Sequence, residues 1–91
     1  MVELIGQDKS TVIRTMYRSV DSATSFYSND SCVGTTSSVL VGTEVEEFVF
    51  DGYYTTKDFA IQCVSGTGAY NDNVQCAPTT NAKWYGRWIA E

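Results

Sequence analysis

Ninety-one residues carrying eleven acidic and six basic side chains, a net charge of −5 and no histidine define a small acidic chain. Its size fits one domain spanning residues 1–91, with a modest core that gains from a disulfide, a ligand or neighbouring subunits. The charge argues against nucleic acid as a partner, Arg14 and Arg18 being the only close basic pair, and the missing histidine removes Ser-His-Asp triads, Cys-His pairs and most zinc sites.

Ten Val and four Ile stand against two Leu, beside eleven Thr, six Tyr, four Phe and two Trp. Branched and flat side chains fit a pleated surface. Turn-forming residues recur at short intervals, from Gly6-Gln7-Asp8 through Asn29-Asp30 to Pro78. The expected fold is all-β or β-dominated, a small antiparallel sandwich or barrel-like domain. Free termini fray unless tied down, so both ends are expected to pair into a sheet or to pack in an assembly.

The first ambiguous segment is 10–28. Val12, Ile13, Met16, Tyr17 and Val20 trace a helical stripe that Ser10 or Thr11 can cap. The same stretch is crowded with Thr, Ser and Val, which suit strands and caps better than helix interiors. The reading adopted is two paired strands, Thr11–Ser19 and Ala23–Ser28, about Asp21-Ser22. The alternative is an α+β fold with one helix within residues 10–28.

Asp51-Gly52 suits the type I′ turn of a hairpin, whose central residues need positive φ. Counting outward pairs Phe50 with Tyr53, Val49 with Tyr54, Phe48 with Thr55 and Glu46 with Lys57. A second hairpin is expected to join Phe59–Val64 to Val74–Ala77 across a Gly/Asn-rich loop. Cys63 and Cys76 sit in near-mirror contexts on its arms, which makes them the disulfide candidates; Cys32 is left over. The alternative keeps all three as buried thiols, as a reducing compartment would.

The last strand, Lys83–Ala90, places Trp84, Gly86 and Trp88 on one face and Tyr85, Arg87 and Ile89 on the other. Both faces are bulky, so one aromatic set is expected near the surface. Trp84, Tyr85, Arg87 and Trp88 are therefore the candidate binding residues, being types that anchor interfaces or stack on sugars. The blander alternative puts both tryptophans in the core and leaves Tyr85 and Arg87 as ordinary surface.

Little chemistry survives inspection. Ser65-Gly66-Thr67-Gly68 is too short for a phosphate cradle and lacks its lysine. Glu44, Glu46 and Glu47, with Asp58 across the expected hairpin, are the only carboxylates placed for acid–base work, and a solvated strand face, with Glu46 paired to Lys57, is the preferred account of them. Asn71, Asp72 and Asn73 offer oxygen ligands, but their spacing matches no calcium loop and turns favour these residues for conformational reasons. No catalytic residue, metal or cofactor is expected.

No stretch is long and apolar enough to span a bilayer, and the N-terminus lacks the basic and apolar regions of a signal peptide. The function expected is that of a non-enzymatic structural or binding protein. It would be an accessory component of a larger assembly, such as a virion decoration (cement) protein, with a protein or identical subunits as partner. Its location would be a virion or an intracellular assembly. The alternative is an extracellular, disulfide-stapled binding domain of lectin-like, inhibitor or effector type. A weaker third is an acidic inhibitor mimicking nucleic acid, for which the acids are too dispersed.

Overall fold

The structure, a computed structural model, describes residues 1–19, 22–27, 36–37, 42–71, 76 and 81–91. It is all-β, with no α-helix among the described residues. Seven strands follow in chain order: β1 (Val2–Ile5), β2 (Val12–Ser19), β3 (Ser22–Tyr27), β4 (Thr36–Ser37), β5 (Phe48–Tyr54), β6 (Gln62–Ser65) and β7 (Ala82–Ala90). They form one sheet in the order β4-β3-β2-β1-β7-β5-β6, curled into a half-barrel.

The segment that reads either way from sequence forms strands. β2 and β3 are antiparallel, with Tyr17 opposite Tyr27. Branched and hydroxyl side chains outweigh the helical stripe there, because a pleated neighbour accommodates them and a helical turn crowds them. The sheet is mixed rather than purely antiparallel. β1 runs parallel to β7, pairing Val2 with Ala82 and Ile5 with Tyr85, and its other edge pairs with β2.

The Asp51-Gly52 hairpin does not form. β5 runs straight through both residues and pairs along its length with β7, from Phe48 opposite Ala90 to Tyr54 opposite Tyr85. Asp51 is the extra residue of a bulge between the pairs Phe50–Trp88 and Gly52–Arg87. Gly52 adopts φ 127°, and a Cβ there would lie 2.1 Å from the Val64 carbonyl oxygen. A bulge and a type I′ turn draw on the same glycine freedom, so the dipeptide signals either. What the bulge achieves is a change of face. Phe50 and Tyr53, an odd number of residues apart, both point inward and meet edge-to-face at 5.0 Å. Glu46 and Lys57 accordingly do not face each other. They lie in turns beyond opposite ends of β5, a strand about 20 Å long.

The second expected hairpin is also redrawn. β6 pairs with β5, with Tyr53 opposite Val64. On its other edge the chain turns back tightly, Val64 bridging Tyr70 and the Asn71 amide donating to the Cys63 carbonyl at 2.8 Å. Val74, Gln75 and Ala77 lie outside the described residues.

The concave face holds the core. Val2, Leu4, Met16, Phe26, Tyr53, Val64 and Trp84 are buried together with Cys63 and Cys76, which form a disulfide with Cα atoms 5.4 Å apart. Phe26, Tyr70 and Trp84 form the aromatic centre, with ring centroids 5.0–6.0 Å apart. Cys32 lies outside the described residues.

Candidate functional site

β7 alternates as its sequence requires: Trp84, Gly86 and Trp88 face inward, while Lys83, Tyr85, Arg87 and Ile89 face outward. Both tryptophans are buried, which removes Trp84 and Trp88 from the candidate binding surface. The inward side of the curl needs large apolar volume, and these rings supply it. Trp88 packs on Phe50 at 5.3 Å and donates its indole N–H to the Thr43 carbonyl at 2.9 Å. That bond gives the buried ring its polar partner. Tyr85, half-buried, and Arg87, exposed, are the two of the four predicted binding residues that reach the surface.

On the convex face, the register lines up Val12, Ile5, Tyr85, Tyr54 and Gln62 as one row across five strands. Ile5 and Tyr54 are buried although they sit outside the concave core, and two loops flank this row. One loop spans residues 6–11. Its ends are joined by the Gly6 amide and the Thr11 carbonyl at 2.8 Å, and the Asp8 carboxylate accepts the Ser10 and Thr11 amides. The Thr11 hydroxyl and these amides stabilise the Asp8 anion and hold its pKa down at about 2. The other loop spans residues 55–61, closed by the Thr55 amide and the Ile61 carbonyl at 3.0 Å.

Each loop carries one residue in the left-handed region, Lys9 at φ 64° and Phe59 at φ 57°. Such a conformation costs a non-glycine residue on the order of 1 kcal/mol or more. The two strained residues meet. The Lys9 ammonium lies 4.8 Å from the Phe59 ring centre, the Arg87 guanidinium 5.3 Å from it, and Tyr54 packs on the same ring at 5.3 Å. Cation–π contacts of about 0.5–1 kcal/mol each at exposed sites offset part of the strain.

Asp51, freed from the ladder by the bulge, anchors the rest. Its carboxylate accepts the Tyr54 hydroxyl at 2.6 Å, and Gln62 donates to both the Asp51 carbonyl (2.8 Å) and the Tyr54 oxygen (3.0 Å). Arg87 completes the group with a loose ion pair to Asp51 at 3.8 Å, the only ion pair among the described residues. Burial, with the Asp51 hydrogen bond behind it, pushes the Tyr54 pKa up, so the phenol stays a neutral donor. These groups satisfy one another, and Arg87 lies between the Asp51 carboxylate and the Phe59 ring. Beyond Arg87, the same face presents Ile89 and its cross-strand partner Val49, 43% and 53% exposed.

Other sequence candidates resolve individually. In Ser65–Gly68 the amides of Thr67 and Ala69 bond to the Ser65 side chain and that of Gly68 to the Ser65 carbonyl, leaving no cradle for phosphate. Glu44, Glu46 and Glu47 lie at the far end of β5 from Asp58, so no facing carboxylate pair forms among them. Asn71 donates to the Gln62 carbonyl at 2.9 Å, while Asp72 and Asn73 lie outside the described residues. No cluster of three potential metal ligands occurs among the described residues.

No protein-family model matches the chain, and neither a curated protein nor a solved structure similar to it was found. Lys9, Asp51, Phe59 and Gln62 escape a sequence reading. Their only signal is Asp51-Gly52, which points equally to a hairpin.

Proposed function

We propose that this chain is a non-enzymatic, disulfide-stapled binding domain that engages a protein partner through the outer face of β7 and β5. The observation that carries the reading is the company Arg87 keeps. It is held by Asp51 and Phe59, and it borders Tyr85 and the exposed Val49–Ile89 pair. An exposed arginine flanked by aromatic and aliphatic groups has the composition of an interface anchor. The Cys63–Cys76 disulfide supports an extracellular setting.

A narrower version makes the partner identical subunits or a particle surface, as in a virion decoration protein. The Val49–Ile89 pair favours it, because a flat aliphatic strip can be buried against its own symmetric copy. Native mass spectrometry of wild type and Val49→Asp separates the versions. A closed oligomer that dissociates on substitution supports self-assembly through this face. A monomer calls for affinity capture with wild type and the Val49→Asp/Arg87→Glu double variant as paired baits. A protein retained by the first and lost by the second supports the heterologous partner; identical capture profiles refute the face.

A further inference from the structure

Two cations from different elements approach the Phe59 ring. Lys9, in the loop 6–11, places its ammonium 4.8 Å from the ring centre, and Arg87, on β7, places its guanidinium 5.3 Å from it. The two distances together keep the charges within about 10 Å of each other. An aromatic face attracts cations without cancelling their charge, so both stay available to an anion. The neighbouring acids do not neutralise them. The Asp8 carboxylate accepts the Ser10 and Thr11 amides and the Thr11 hydroxyl. Asp58, beside Phe59, forms no ion pair among the described residues, and neither does Lys9. Arg87 meets Asp51 only at 3.8 Å, which leaves most of its five N–H donors for a further acceptor. Both cations are exposed, Lys9 fully outside the core and the Arg87 side chain 44% open to solvent. Lys9 and Phe59 hold left-handed backbone, φ 64° and 57°, and strain of that kind gathers where a side chain must be placed for use.

We propose that Lys9 and Arg87, spread over Phe59, form a two-cation clamp for the carboxylate of an acidic side chain on the docking protein. The inference rests on the reading of the β7–β5 face as a docking surface and adds the chemistry of what docks there. A chain of net charge −5 that brings two of its six basic residues to one ring concentrates positive charge where little is to spare. The excess of acids elsewhere repels an extended polyanion at range. The clamp therefore fits a single carboxylate set among apolar groups, which the exposed Val49–Ile89 pair on the same face can receive.

The test is an NMR titration of the intact protein with an N-acetylated, C-amidated hexapeptide of alternating glutamate and glycine. A second peptide with glutamine in place of glutamate runs in parallel. The glutamate peptide is expected to shift the Arg87 side-chain N–H and Phe59 ring signals saturably, and the glutamine peptide to leave them in place. Lys9→Gln and Arg87→Gln are each expected to weaken binding about fivefold, as the loss of one exposed ion pair would. Lys9→Arg, which keeps the charge, is expected to keep wild-type affinity, and so is Lys57→Gln, which removes a charge two residues from Phe59. The absence of a saturable shift with the glutamate peptide overturns the proposal. So does equal binding of the glutamine peptide, unchanged affinity in Lys9→Gln, or a loss in Lys57→Gln as large as in the clamp variants. Failure of the docking face is read separately from Val49→Asp, so a clamp that fails can leave that face standing.

Discussion

Tyr53 shows how one buried atom writes itself into the pH dependence of a whole protein. Burial lifts its pKa from 10.0 to about 12, against a smaller lowering by Arg14. The folded state therefore holds the phenolic proton more tightly than the unfolded chain does. The stabilisation is complete below pH 10 and drains away as pH rises from 10 through 12, and two units amount to roughly 2–3 kcal/mol. Urea midpoints between pH 9 and 11.5 should fall for wild type and fall less for Tyr53→Phe; parallel curves would show that the ring's burial does not control its ionisation. Gly86 makes a simpler case. A Cβ there would sit 2.4 Å from the Trp88 ring and 2.9 Å from the Ile5 carbonyl oxygen. Overpacking of this kind costs about 1–3 kcal/mol and more where backbone is the obstacle. Gly86→Ala is expected to lower the urea midpoint by at least that amount, with a shift in tryptophan fluorescence as Trp88 is displaced.

Among the elements, β6 carries a covalent tie at Cys63, and among the described residues its outer edge is covered by the chain that turns back at Ser65–Tyr70. The disulfide joins positions 13 apart, and in the chain-entropy picture closing such a loop stabilises by roughly 3 kcal/mol. Replacing both cysteines by alanine should lower Tm strongly, and because both sulfurs are fully buried, reduction of the native protein should be slow and quicken with urea. Rapid reduction without denaturant would contradict that burial. The same elements show what a sequence discloses. β2, β3 and β7 were legible because their branched and aromatic density is local. Asp51-Gly52 was not, because positive φ is common to turn and bulge and only the nine-residue partner β7 decides between them. Tyr85 and Arg87 followed from strand alternation, but which face the sheet curls around is a property of all seven strands. Lys9 and Phe59 had no signal at all, since neither residue type advertises a left-handed backbone.

For the molecule as a whole, β1 is the keystone despite its four residues. Among the described residues it alone joins the β4-β3-β2 half of the sheet to the β7-β5-β6 half by strand pairing. Leu4→Ala should cost about 2–5 kcal/mol, a large part of the stability of a domain this size. It should also lower the melting of both halves together, with tryptophan fluorescence and far-UV circular dichroism transitions remaining coincident. Separate transitions would mean that the halves are independent. The parallel pairing of β1 with β7 has a mechanical consequence. Two parallel neighbours carry the chain's opposite ends at opposite ends of their ladder, so a pull applied through the termini drags the strands lengthwise past each other. Every hydrogen bond between Val2–Ile5 and its partner strand then bears load at once rather than parting in sequence. Tension along the chain therefore meets its stiffest joint first.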